Sequence, residues 1–194
     1  MDRYGLLLAP GASASSNQSA LVAVDRAATK AGLTVRRMDF PYTVAGRRAP
    51  DRPPVLVAAV VKEAASLAAG TSLVPERIFL GGRSMGGRIC SMAVAEGLPA
   101  AGLVLISYPL HPPGRADNAR IVHFEHLDLP CLFVSGTRDA FGSPAELEAA
   151  LALIPGPVSV HYIERGDHGL RARDAEVAAL VAGWLTEQIS ARAR

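Results

Sequence analysis

The sequence predicts an α/β fold: about six mainly parallel strands in one sheet, with helices on both faces. Three observations carry this expectation. Short runs rich in Val, Ile and Leu alternate with Ala-rich stretches of helical length. Several of these runs are apolar at consecutive positions, the pattern of strands covered on both sides. Finally, 49% of the 194 residues are hydrophobic, which suits one domain, 1–194, with a substantial core.

In chain order, strands are expected at residues 4–9, 35–40, 77–81, 102–107, 131–135 and 158–163. Helices are expected between them. Residues 18–31 end at Gly32, 55–69 follow Pro53–Pro54 and end at Gly70, and 85–96 end at Gly97; a glycine just past the last turn is a common helix stop. Residues 144–153 follow Ser143, a good N-cap, with Pro144 at the first helical position. Residues 173–191 carry Val177, Leu180, Val181, Trp184 and Leu185 at helical spacing. The strand–helix alternation implies right-handed crossovers and the strand order second-first-third-fourth-fifth-sixth. Two stretches, 39–54 and 108–120 (YPLHPPGRADNAR), are rich in Pro, Gly and Arg and read as surface loops.

Composition narrows the function. The net charge is +2 and the arginines are scattered as pairs, a solvated face rather than a nucleic-acid surface. MDRYGLLLAPG is too short in its apolar run for a signal peptide, and no stretch is expected to span a membrane. Cys90 and Cys131 lie in apolar stretches and read as buried free thiols, which points to a reducing cytoplasm. No zinc-ligand spacing, no G-x-G-x-x-G and no phosphate-loop motif is present, so neither metal nor organic cofactor is expected.

The strongest chemical signal is RIFLGGRSMGGRIC. An apolar strand runs into Gly82-Arg83-Ser84-Met85-Gly86 and then into a helix. A serine on such a sharp strand-to-helix turn projects its hydroxyl out of the sheet, and side chains at the flanking glycines would obstruct the turn. Gly87 would let the helix pack closely. A serine hydroxyl is a weak nucleophile and needs a base. His168 follows the last strand in GDHG, and Asp139 follows the fifth in GTRD, giving the chain order Ser, Asp, His. Asp139 by itself also reads as a turn residue. Asp167 competes as the acid, but its neighbour's Nδ1 is badly placed for it. His161 sits within a strand, and His123 and His126 precede one. For an oxyanion, the expected donors are the N–H groups of Met85 and of Ala12, the latter shaped by Gly11 after the first strand. Tyr108 and His111 are candidates for the substrate pocket, with a proline-rich surface turn as the alternative.

Taken together, APGAS, GGRSMGGR, SYPLHPPG, VSGTRDAFG and GDHGL resemble the small α/β-hydrolase-like domains of the testis-expressed-protein and non-specific-lethal-complex-subunit group, distantly similar to dienelactone hydrolase. The resemblance spans nearly the whole chain. It implies a minimal, lid-less α/β-hydrolase fold and hydrolase chemistry, with Ser84, Asp139 and His168 on the triad positions. Pro10-Gly11 stands where many members of the superfamily have His-Gly, and Ser84 stands where dienelactone hydrolase has cysteine. The expected activity is hydrolysis of a small carboxylic ester through an acyl-enzyme, without nucleic-acid or membrane partners and with a homodimer left open. A thioesterase or amidase, or a non-catalytic interaction domain on the same fold, are the alternatives.

Overall fold

Leu6, Leu7 and Leu8 are all fully buried, because the strand that carries them lies inside a sheet covered on both faces. The structure, a computed structural model, describes residues 4–193. Its elements run β1 (Gly5–Ala9), α1 (Ser19–Lys30), β2 (Thr34–Arg37), α2 (Pro41–Val44), α3 (Pro53–Thr71), β3 (Ile78–Arg83), α4 (Met85–Ala95), β4 (Gly102–Ile106), β5 (Cys131–Gly136), α5 (Pro144–Leu151), β6 (Val158–Ile163) and α6 (Asp174–Arg192). The six strands form one sheet in the order β2-β1-β3-β4-β5-β6. Every pair is parallel.

Successive strand residues point to opposite faces, and this splits the core in two. Leu7, Leu80, Leu105 and Phe133 pack with α3, α4 and α5 on one side. Leu6, Leu8, Phe79, Val104 and Val134 pack with α1 and α6 on the other. Parallel register brings the strand ends to one edge: Ala9 pairs with Gly82, Arg83 with Ile106, and Ile106 with Val134. Loops leaving that edge are neighbours in space, which is where an open α/β sheet gathers ligand-facing groups.

Local sequence accounts for most boundaries. Gly32 (φ 94°) and Gly97 (φ 102°) take the left-handed conformation that stops α1 and α4. Ser143 and Glu146 form a reciprocal capping box at the start of α5. α3 does not stop before Gly70 as expected. It continues to Thr71, whose hydroxyl donates to the Leu67 carbonyl (2.6 Å), and left-handed Ser72 (φ 56°) closes it.

Three further expectations need correction. β2 is four residues long rather than six, because the chain bends after Arg37 to bury Met38 and Phe40. Residues 39–54 are not wholly a surface excursion: α2 lies within them, with Pro41 at its first position and Tyr42 buried and stacked on Phe40 (6.2 Å). And α3, rich in Val and Ala, is by length and composition apolar enough to cross a membrane. Here its Leu56, Val57, Val60, Ala64 and Leu67 face the sheet core.

The segment between β4 and β5 adds no helical cap among the described residues. It holds one 3-10 turn (Phe124–His126), packs Tyr108, Leu110, Phe124 and Leu127 inward, and leaves residues 113–118 exposed.

Candidate active site

Ser84 sits between the end of β3 and the start of α4 in a strained conformation (φ 51°, ψ −118°). Its N–H donates to the Ile106 carbonyl (2.8 Å), and its own carbonyl accepts from Arg88 N–H (3.1 Å). The flanking glycines are required sterically. A Cβ at Gly82 or at Gly86 would come within 2.1 Å of the Ala9 carbonyl oxygen, so only glycine lets the elbow lie against β1.

Two loops from the same sheet edge meet this serine. Asp139 belongs to the turn between β5 and α5. His168 lies between β6 and α6. His168 Nε2 is 2.8 Å from Ser84 Oγ, and its Nδ1 is 2.9 and 3.0 Å from the two carboxylate oxygens of Asp139. Asp139 accepts only, so Nδ1 carries the proton and Nε2 is free to accept from the serine hydroxyl. The Asp139 side chain is 1% exposed and the His168 side chain 20%: the carboxylate is sealed while the imidazole reaches solvent. Asp139 Oδ1 also accepts from the Phe141 N–H (2.8 Å), and the Phe141 ring stacks on the imidazole (4.0 Å between centroids).

Asp167, the rival acid, makes no such contact. Its carbonyl accepts from Leu170 N–H, and its carboxylate lies beside Gly169. The glycines of this loop act by close approach rather than by free rotation. Neither Gly166 nor Gly169 has positive φ, whereas Arg165, Leu170 and Ala172 do. Gly136, at the end of β5, must be glycine because the Gly166 carbonyl lies 2.2 Å from where its Cβ would be, and a Cβ on Gly166 itself would meet the Leu170 side chain at 2.7 Å and the Ile163 carbonyl at 3.0 Å. Arg83, within the elbow, donates to the His168 carbonyl (2.6 Å) and so ties the histidine loop to the serine turn. Burial holds its guanidinium below the usual arginine value, with the carboxylates of Asp139, Asp174 and Asp167 opposing the shift.

A cavity of about 500 Å³ opens over Ser84, walled by Gly11, Ala12, Met85, Phe141 and His168 among others. Gly11 N–H is taken by Gln18 Oε1 (3.1 Å) and Ser13 N–H by Tyr42 Oη (3.3 Å). Among the described residues, the Ala12 and Met85 amides have no protein acceptor. These are the two amides singled out in the sequence for an oxyanion.

Tyr108 and His111 do not line this cavity. Ser107 turns the chain with φ 48° as it leaves β4, which sends Tyr108 into the core against Phe124 and Phe133. The Tyr108 hydroxyl donates to the Arg120 carbonyl (2.7 Å), and burial raises its pKa. His111 is buried too, with Nδ1 2.9 Å from the Pro112 carbonyl and Nε2 3.4 Å from Glu146. Pro109 and Arg120 form the wall in their place. Arg88, Arg120 and Phe141 were not singled out in the sequence. Arg88 stands four residues after Ser84 on α4, one turn on the same side, and that spacing was its one legible signal.

Behind the cavity, Ser91 Oγ donates to the Arg88 carbonyl (2.8 Å) and lies 2.8 Å from His123 Nε2. The serine proton is already committed, so His123 Nε2–H is the donor. Burial, then the charges of Arg88 and His126, push His123 down to about 4. Cys90 and Cys131 are free and buried, and burial raises both thiols to about 12. Among the described residues no group of three or more His, Cys, Asp or Glu side chains is placed to hold a metal ion.

Fold and site together define an α/β domain with a serine presented on a strand–helix elbow. A family model described as an alpha/beta hydrolase domain matches residues 2–188, and the chain belongs to that family. Solved structures with the same fold include an alpha-beta serine hydrolase homologue from Coxiella burnetii (19% identity, 94% of this chain and 85% of that one, TM-score 0.77). Est1E from Butyrivibrio proteoclasticus, solved with bound ferulic acid, superposes similarly (16% identity, 96% and 90%, TM-score 0.77). So does dienelactone hydrolase from Anabaena variabilis (20% identity, 95% and 86%, TM-score 0.75).

Proposed function

We propose that this protein is a serine hydrolase that cleaves small carboxylic esters through an acyl-enzyme. The observation that carries the reading is the unbroken hydrogen-bonded line from Ser84 Oγ through His168 to buried Asp139, ending in a cavity. In the first half-reaction His168 Nε2 takes the Ser84 proton as Oγ bonds to the ester carbonyl carbon. The oxygen that becomes negative is received by the Met85 and Ala12 amides, the former at the positive end of α4. Collapse of the adduct breaks the bond to the alcohol oxygen, which leaves with the proton from Nε2. Water then enters by the same route: His168 takes one proton, the hydroxyl attacks the acyl carbon, and the acid departs as Ser84 regains its hydrogen. Asp139 holds the ring in the productive tautomer and balances the imidazolium.

Thioesters and amides would follow the same steps, amides needing the most help from the His168 proton because an amine is the poorest leaving group of the three. The motif set quoted above supports placement in the testis-expressed-protein and non-specific-lethal-complex-subunit group.

A fluorophosphonate probe tests the reading. Labelling is expected on Ser84 and is expected to vanish in Ser84→Ala while the circular dichroism spectrum is unchanged. Labelling that persists in that variant would move the nucleophile elsewhere, and a folded wild type that never labels would favour a non-catalytic domain.

A further inference from the structure

Two arginines share the cavity with the serine and have nothing to hold. Arg88 lies on α4 and Arg120 on the segment after β4, and both line the space over Ser84 and His168. Among the described residues, neither guanidinium makes a hydrogen bond or ion pair, and Arg88 Nε is buried with no acceptor at all. Other arginines show what engagement looks like here. Arg37 binds Asp25 (2.8 Å), Arg47 binds Asp51 (2.7 Å), Arg173 binds Glu176 (3.2 Å) and Arg83 donates to the His168 carbonyl. The one carboxylate among the described residues of the cavity wall is Asp51, and Arg47 already occupies it.

The two free cations are also close enough to repel. Arg120 is held below the usual arginine value first by burial and next by the charge of Arg88, opposed by the Tyr108 hydroxyl and by no carboxylate. Arg120 does not stand there by loop mobility: its N–H donates to the Leu110 carbonyl (2.8 Å) and its carbonyl accepts from Tyr108. A partly buried pair of like charges without a counterion is destabilising. A guanidinium fork suits a carboxylate or phosphate better than any neutral group.

We infer that the ester hydrolysed at this site carries a negatively charged oxygen group, carboxylate or phosphate, which Arg88 and Arg120 hold while the ester carbonyl lies over Ser84. The inference rests on the proposed hydrolase function and names its substrate class. The anion completes the pairing that the protein leaves open, and it fixes the substrate at two points, which orients the carbonyl.

Matched ester pairs test it. The p-nitrophenyl monoester of glutaric acid is compared with its methyl-capped diester, and the acetate ester of a phenol bearing a phosphate or a carboxylate with that of a neutral phenol of similar size. The expected result is that kcat/KM favours the anionic member of at least one pair by about tenfold or more, and that salt erodes the preference. The carboxylate and phosphate arms identify which anion is read. Arg88→Gln and Arg120→Gln should each pull the ratio toward one. Equal or better use of the neutral ester in every pair overturns the inference, as does a ratio unchanged in both variants. Binding of free glutarate and of phenyl phosphate to Ser84→Ala by calorimetry gives a readout that does not require turnover. Anion binding lost in Arg88→Gln supports the inference, and no binding of either anion counts against it. Fluorophosphonate labelling reports on the hydrolase reading separately: Ser84 labelled with no anion preference overturns the substrate class alone.

Discussion

Asp139 and Asp167 are alike in chemistry and differ in what they reach. The turn after β5 presents Asp139 to the far nitrogen of His168, whereas Asp167, adjacent in sequence, is left beside Gly169. Asp139→Asn should therefore lower kcat by on the order of 10²–10⁴-fold, since an amide facing Nδ1 favours the wrong tautomer. Asp167→Asn should cost far less, and the reverse ranking in steady-state kinetics would refute the assignment. Ser84→Ala, His168→Ala and the double variant should be nearly equal in damage, because the pair works as a unit. A second titrating residue bears on stability. His123 is depressed to about 4 in the folded protein, against 6.5 for an ordinary histidine. Between those values the unfolded chain binds the proton and the folded one does not. Stability is thus full above about 6.5 and falls as pH drops toward 4. Urea midpoints measured from pH 7 to 4 should show a shallower acid decline in His123→Gln; parallel declines would remove His123 as a contributor. These residues differ in how far sequence exposed them. Ser84, Asp139 and His168 were legible because each follows a strand end, and parallel strand ends converge. Tyr108 and His111 were misread because one left-handed residue, Ser107, decides which way the chain turns. Arg88 and Arg120 were not picked out, because a shared cavity wall is a tertiary fact.

All six strands and five of the six helices were legible as elements, since their apolar patterns and caps agree with the packing. α2 was not. Its four residues have Pro at the start and look like the loop around them, and only the burial of Phe40 and Tyr42 reveals that the segment folds inward. The same burial shortens β2. The elbow and α6 give opposite expectations for adding one methyl group. At Gly86 a Cβ meets the backbone oxygens of Ala9 and Pro10 at 2.1 and 2.5 Å, and backbone cannot step aside, so Gly86→Ala should destabilise by roughly 3 kcal/mol or prevent folding. At Gly183, inside α6, nothing lies within 4 Å. Gly183→Ala should stabilise by roughly 0.5–1 kcal/mol through helix propensity. Thermal or urea unfolding reads both; a destabilising Gly183→Ala would contradict the open environment.

For the molecule as a whole, strand order and two-sided burial were foreseeable from alternating elements with right-handed crossovers. The extent of the cavity was not, because its walls come from five separate loops together with α3, α4 and the elbow between β3 and α4. Its size has a consequence for substrate length. The segment from β4 to β5 supplies only Pro109 and Arg120 to the wall and adds no helix above Ser84. Each added acyl methylene should stay partly hydrated and yield less than the roughly 0.8 kcal/mol of full burial. In a series of p-nitrophenyl esters assayed below micelle formation, kcat/KM should level off after the first few acyl carbons. A climb that continues to long chains would reveal a buried tunnel. α1 and α6 pack side by side, Leu21, Val24 and Ala28 meeting the surface formed by Val177, Val181 and Leu185. On a ribosome, α1 is delivered well before α6. Sheet residues Leu6, Leu8 and Phe79 reach α1 sooner, but the flank that α6 covers lacks its partner until the later helix emerges, which leaves apolar surface on the nascent polypeptide for a chaperone to shelter.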